Sequence, residues 1–370
     1  MAAAAAQRPP FRANHVGSLL RPKQLREAFR RHAEGALSAA AFADLQDEAI
    51  RDVVRLQEEA GLHVVTDGEF RRSSYWGRFV ERCHGFNIRP AVFKFRDDHG
   101  HQVDFTATYT AETLSRTRPL AADEFAFLKG VTKATAKITM PAPSTMHFYR
   151  CTDFADPNVY ADAETFFGDL AAIYRQEIAE LARSGCRYLQ LDEVAIAMLC
   201  DPVIRDQVSS AGQDPERLLN LYINAVNDCV AAVPSDMVVG IHMCRGNFRG
   251  RYLSEGGYES VAERFFTGAN ATHFLLEYDT PRAGDFKPLR FVPKTKGVIL
   301  GLVSTKTPAL ESIDELKRRT GEAAKFIDVD RLGIGPQCGF ASTAAGNPLT
   351  VDDERAKLRL LVEAAHALWN

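Results

Sequence analysis

The alternation of short apolar runs with amphipathic helical stretches constrains this chain most. Runs near 12–16, 62–66, 136–140, 188–191, 237–241, 273–276, 297–303 and 331–334 read as eight strands. Helical patterns such as 41–60, 163–184 and 215–233 lie between them, and another over 351–368 follows the last run. Ser184-Gly185 offers a glycine cap at the end of the second of these helices. Strand–helix alternation marks βα units, because parallel strands need a crossover that a helix supplies. Eight such units predict an α/β fold, a closed (β/α)8 TIM barrel. An open doubly wound sheet would carry a G-x-G-x-x-G turn after its first strand, and this sequence has none.

The rhythm breaks once. About 70 residues separate the second and third runs, and within them Lys94–Phe105 reads as a hairpin with its tip at 98–100. Residues 83–130 are therefore expected to be a β-rich insertion between the second and third strands. The start, residues 1–10, has no basic segment before an apolar one and is expected to be a disordered tail rather than a signal peptide. Residues 11–370 then form one barrel domain, with no repeat of 20–50 residues beyond the βα rhythm.

Net charge of −3 argues against nucleic acid or an anionic membrane as partner, and no apolar run nears the roughly 20 residues that span a bilayer. Seven cysteines without regular spacing suit a reducing cytoplasm rather than a disulfide framework. The oligomeric state is open.

Barrel chemistry collects where strands end. Taken in order, the run ends deliver Gly17-Ser18, Asp67-Gly68-Glu69, Pro141–Ser144, Asp192-Glu193, His242 and Cys244, Glu277, Ser304 and Lys306, and Cys338. His242 and Cys244 point to the same side of an extended backbone. Alone, the pair reads equally as a buried histidine beside a buried cysteine. With Glu277 and Cys338 it becomes a set of imidazole, thiolate and carboxylate ligands that Zn²⁺ accepts, and the cysteines are not in a C-x-x-C knuckle. Two thiolates and one carboxylate leave such a site at a charge of about −1. An incoming thiol, of free pKa about 8.5, could replace the glutamate and be deprotonated by the metal.

Asp192 could orient an ammonium group, take up a proton, or cap a helix. Glu69 could do the first or pair with Arg71 or Arg72 at the surface. Gly17-Ser18 could bind a carboxylate or form the turn before Arg21-Pro22, and His15 could be a core histidine.

Together these residues resemble the catalytic domain of cobalamin-independent methionine synthase and its short, single-domain relatives, over about residues 11–369. The resemblance implies a (β/α)8 barrel whose zinc ligands are His242, Cys244, Glu277 and Cys338. It implies that Gly17-Ser18 meets the carboxylate of homocysteine, and that Gly68-Glu69-Phe70 and Asp192-Glu193-Val194-Ala195 supply acids to its ammonium group. The implied activity is methyl transfer from a methyltetrahydrofolate-type donor to that thiol. Two positions depart from the family. Lys306 stands where its histidine delivers a proton to the folate, and would serve if burial lowered its pKa. Tyr149 stands loosely for the tryptophan that faces the pterin.

Three other readings remain at this point. One is a zinc enzyme adding a thiol to an epoxide, resembling epoxyalkane:coenzyme M transferase. Another is a barrel in which the metal only braces the strand ends. The third is the related uroporphyrinogen decarboxylase architecture, which would not need the ligands.

Overall fold

The computed structural model of the chain describes residues 10–93, 95–96, 100–103 and 105–369. The expected tail therefore lies outside the described residues except for Pro10, as do positions 98 and 99 of the hairpin tip. The strands are β1 (Val64–Val65), β2 (Cys83–Pro90), β3 (Phe95–Arg96), β4 (Gln102–Val103), β5 (Thr106–Arg116), β6 (Thr135–Ala136), β7 (Ile138–Pro141), β8 (Tyr188–Glu193), β9 (Val238–Met243), β10 (His273–Glu277), β11 (Gly297–Val303) and β12 (Leu332–Pro336). β7 to β12 form a parallel sheet in chain order, and β1 pairs in parallel with β6. β8, β10, β11 and β12 are buried along their whole length, as continuous apolar runs such as Gly297–Val303 require of a parallel sheet covered on both faces.

The first two expected strands are barely strands. Between 12 and 16 only Ala13 forms a bridge, in parallel with Ile334 of β12. The reason lies in where the next carbonyls go. Lys137 donates to His15 O, and Gln190 Nε2 donates to Val16 O at 2.6 Å, so side chains from the interior take bonds that a neighbouring strand would have made. β1 stops at Val65 for a similar cause. The Gln57 amide accepts from Thr66 N and donates to Thr66 O, both at 2.9 Å. The 12–16 segment and β1 are linked instead by Leu19 N donating to Gly68 O at 3.1 Å and Thr66 Oγ1 donating to Gly17 O at 2.6 Å.

The helices run as their patterns demand. Ala163–Arg183 starts where Asp162 accepts from Thr165 N and buries Phe166, Leu170, Ile173, Tyr174, Ile178 and Leu181. It ends as expected at Gly185, whose φ of +92° lets Cys186 N return to Leu181 O. The insertion is β-rich only in its first part. β2 pairs antiparallel with β5 and β3 with β4, and then helix Ala122–Val131 follows. The buried Glu177 carboxylate accepts the Leu120, Ala121 and Ala122 N–H groups and ties that helix start to Ala163–Arg183. No described helix is long and apolar enough to cross a membrane.

Candidate metal and substrate site

The parallel strands deliver their ends to one place. His242 lies in β9, and Cys244 just past its end. Cys338 follows β12 by two residues, and Asp192 of β8 stands in register with His242. One ligand atom from each of His242, Cys244 and Cys338 falls within 4.8 Å of the others, and all three residues are buried. His242 Nδ1 lies 3.2 Å from Leu275 O, so an Nδ1–H donated there leaves the Nε2 lone pair for a metal. Nε2 is buried without a hydrogen-bond partner, which costs free energy unless something occupies it. A free imidazole nitrogen beside two sulfurs 3.4 Å apart fits zinc.

The two thiols share their proton unequally. The hydrogen bond between Cys338 and Cys244, with His242 and Lys306 nearby, holds Cys338 well below the usual thiol range despite burial. The same bond, together with burial, pushes Cys244 up. Burial works against the His242 imidazolium, yet Cys338 and Asp192 raise its pKa.

Glu277 stands apart from this group of three. Arg245 N donates to its Oε2 at 2.7 Å, Arg282 forms an ion pair with its Oε1, and Lys306 Nζ is 3.9 Å from Oε1. Burial opposes its charge, but Lys306, Arg245 and Arg282 hold its pKa at about 2. Lys306 does not line the cavity described next; its ammonium group faces Glu277.

A cavity of about 470 Å³ opens onto the three metal-type residues, and Ser18, Glu69, Tyr149 and Asp192 also line it. Glu69 sits in left-handed backbone at φ +62°, next to Gly68 at +67°, a turn that aims its side chain inward. Its Oε1 accepts from Thr139 Oγ1 at 2.6 Å and lies 3.5 Å from Arg72, while Oε2 has no partner. The ion pair with Arg72 is thus a buried one, and Arg71 pairs with Asp47 instead. Asp192 accepts from Gln190 Nε2 at 2.7 Å, and burial, with Glu69 adding to it, raises its pKa to about 7. Asp192 caps no helix; Glu193 accepts from Ile196 N at the start of the short helix Ala195–Met198. His15 is a core histidine, fully buried and held neutral by burial. Ser18 is pinned by Gly339, where an added Cβ would fall 1.9 Å from Ser18 Oγ.

The cavity also uses residues that sequence reasoning passed over. Tyr75, Trp76, Asn247 and Phe248 line it, and Ile88 and Phe105 reach it from the insertion. The Tyr75-Trp76 pair shortly after Gly68-Glu69-Phe70 was the available signal. Trp76 is the tryptophan of this cavity, whereas Tyr149 lies buried against Phe105 with ring centroids 4.6 Å apart.

The profile of the family described as cobalamin-independent synthase, catalytic domain, matches residues 11–367. This chain belongs to that family. Protein YxjH of Bacillus subtilis (strain 168) is 40% identical to it, over 98% of this chain and 96% of that protein. The methionine synthase of Pyrococcus abyssi (strain GE5 / Orsay) is 27% identical over 88% of this chain and 85% of its own length. Among solved structures, a Listeria monocytogenes protein assigned provisionally as a vitamin-B12-independent methionine synthase is 30% identical. It superposes with a TM-score of 0.77 over 98% of this chain and 99% of its own. The family member described here thus has the α/β architecture of those relatives, with parallel strand ends gathered at a single cavity.

Proposed function

We propose that the chain is a zinc-dependent S-methyltransferase that moves a methyl group from a methyltetrahydrofolate-type donor to the thiol of homocysteine. The observation that carries this reading is one cavity holding both the His242–Cys244–Cys338 group and the carboxylates of Glu69 and Asp192. Zinc held by those three residues would supply the charge that keeps the acceptor thiol deprotonated at neutral pH. The chain's own residues do the rest. The Glu69 carboxylate adds to the cost of ionising Asp192, so an ammonium group placed between them relieves that repulsion and satisfies Glu69 Oε2. Ser18 Oγ, fixed by Gly339, is available to the amino-acid carboxylate. Tyr75, Trp76 and Phe105 give the donor an aromatic wall and keep water from the sulfur.

A carbon–sulfur bond forms as the donor's carbon–nitrogen bond breaks. The thiol gives up one proton and the departing ring nitrogen takes one up.

The same reading takes the strand order as a closed eight-stranded barrel. Its seam at the 12–16 segment is carried by the Leu19–Gly68 and Thr66–Gly17 hydrogen bonds. It takes the working compartment to be the cytoplasm, because seven free cysteines and a zinc–thiolate site need reducing surroundings. Small molecules are the only partners it requires.

The test is methionine formation from homocysteine and methyltetrahydrofolate by zinc-loaded and chelated protein, run beside coenzyme M with a short epoxide. Zinc-dependent methionine is expected. Turnover of the epoxide alone, or equal turnover after metal removal, would overturn the proposal. The two acids in the cavity favour an amino-acid thiol over a sulfonate.

A further inference from the structure

Two hydrogen bonds behind the Asp192 carboxylate lies Lys137, a fully buried cation. It stands between β6 and β7, two residues before Thr139, whose hydroxyl donates to Glu69. A lysine ammonium donates three protons and accepts none. All three find acceptors: Asn14 Oδ1 at 3.1 Å, Gln190 Oε1 at 2.9 Å, and His15 O. All three of these acceptors are uncharged. Burial lowers the Lys137 pKa to about 7, and the two acids that favour its charged form are those of the cavity, Asp192 and Glu69. A methionine would fill the same space without the cost of desolvating a charge. Core stability is therefore no reason for a lysine here.

Lys137 settles which way the Gln190 amide faces, because only its oxygen can accept from an ammonium group. Gln190 Nε2 then donates to Val16 O at 2.6 Å and to Asp192 Oδ1 at 2.7 Å. Asn14 is fixed in the same manner. Its Oδ1 accepts from Lys137 and from His15 N, and its Nδ2 donates to Tyr188 Oη at 2.8 Å. One cation thus braces both the 12–16 segment, which leads into Gly17-Ser18, and the carboxylate of Asp192. Gly17 leaves little slack between them, since a Cβ there would fall 2.6 Å from Thr139 Cγ2.

We propose that Lys137, acting through Gln190, is a positioning residue that fixes the separation of Ser18 from Asp192 and so selects a thiol bearing both a carboxylate and an ammonium group. The inference rests on the amino-acid acceptor reading above. Without the brace Ser18 and Asp192 would keep their polar atoms, and each could still meet its own end of a ligand. The brace supplies the fixed distance at which one small molecule reaches both, and fixed groups bind such a ligand more tightly because less ordering accompanies binding.

The experiment uses full-length, zinc-loaded protein and calorimetric titration with three thiols. These are homocysteine, 4-mercaptobutanoate, which lacks the ammonium group, and 3-mercaptopropylamine, which lacks the carboxylate. Wild type should bind homocysteine at least about tenfold more tightly than either truncated thiol. Lys137→Met is expected to bind homocysteine about tenfold more weakly, to bind the truncated thiols within about twofold of wild type, and to keep its zinc and its circular dichroism. Gln190→Glu is the second variant should Lys137→Met fold poorly. It keeps an acceptor for Lys137 but has no N–H for Val16 O or Asp192, and the same selective loss is expected.

Undiminished homocysteine affinity in either folded variant would overturn the brace. An equal fall for all three thiols would overturn it too, since that marks a general disturbance of the cavity. Both results leave the amino-acid reading standing where wild type prefers homocysteine. A wild type that binds the truncated thiols as tightly as homocysteine overturns the amino-acid reading itself, and the selection ascribed to Lys137 with it.

Discussion

The sulfur atoms of Cys244 and Cys338 lie 3.4 Å apart although 94 residues separate them in the chain. Two strand ends, β9 and β12, carry them to that contact from opposite sides of β10 and β11. Such proximity between two thiols, beside an imidazole with a free nitrogen, is the geometry on which the proposal of a metal site rests.

Replacing either sulfur should therefore remove the metal without removing the fold. Cys338→Ser is expected to retain less than about a tenth of wild-type zinc after dialysis and to lose methyl transfer in proportion. Elemental analysis checks the first and circular dichroism the fold. Full turnover by a metal-free variant would contradict the assignment.

Glu69→Gln and Asp192→Asn should weaken the amino-acid end of the acceptor. A hydrogen bond to a charged group contributes about 1.5–3 kcal/mol, so KM for homocysteine should rise roughly ten- to a hundredfold. A thiol of similar length without an ammonium group should show little change. Equal losses for both thiols would mean that the acids shape the cavity rather than bind substrate.

Gly339→Ala places a methyl group on Ser18 Oγ, and neither backbone can yield easily because Phe340 N donates to Ser18 O at 2.8 Å. The expected result is a displaced Ser18, with a KM for homocysteine at least about tenfold higher and zinc content unchanged. Steady-state kinetics with metal analysis separates this from a general loss of structure. Unaltered KM would show that Ser18 does not meet the substrate.

Away from the site, Glu354 is fully buried, accepts from Leu20 N at 2.8 Å, and is pushed by burial to a pKa of about 8. An unfolded glutamate titrates near about 4.3. The folded value is the higher one, so this group's contribution to stability is complete below about pH 4.3 and is lost as pH rises through about 8. Glu354→Gln keeps an acceptor for Leu20 N and removes the charge. It should exceed the wild type in stability at pH 9 by on the order of a few kcal/mol, with the gap closing toward pH 5. Urea melts at the two pH values decide it; a pH-independent difference would refute the linkage.

The chemistry of the site was legible before any fold was known, because strand ends in a parallel α/β chain are marked by the end of an apolar run. His242-Met243-Cys244 follows Val238–Ile241 so directly that only its partners were in question. Less was legible where the chain departs from its own pattern. The 12–16 run has the composition of a strand, yet its carbonyls at His15 and Val16 are taken by Lys137 and Gln190. Nothing local to residues 12–16 foretells that a lysine more than a hundred residues later will be buried beneath them.

Sequence by itself determined which residues alternate as strand and helix, and which donor atoms stand at the strand ends. Both follow from local periodicity and from side-chain chemistry. Tertiary structure alone decided that three of those donors meet while Glu277 faces Arg282 and Lys306. It also decided that Trp76 walls the cavity. Those outcomes depend on how distant elements rotate and pack against one another, and on which buried charge finds which partner. No short window of the chain carries that information.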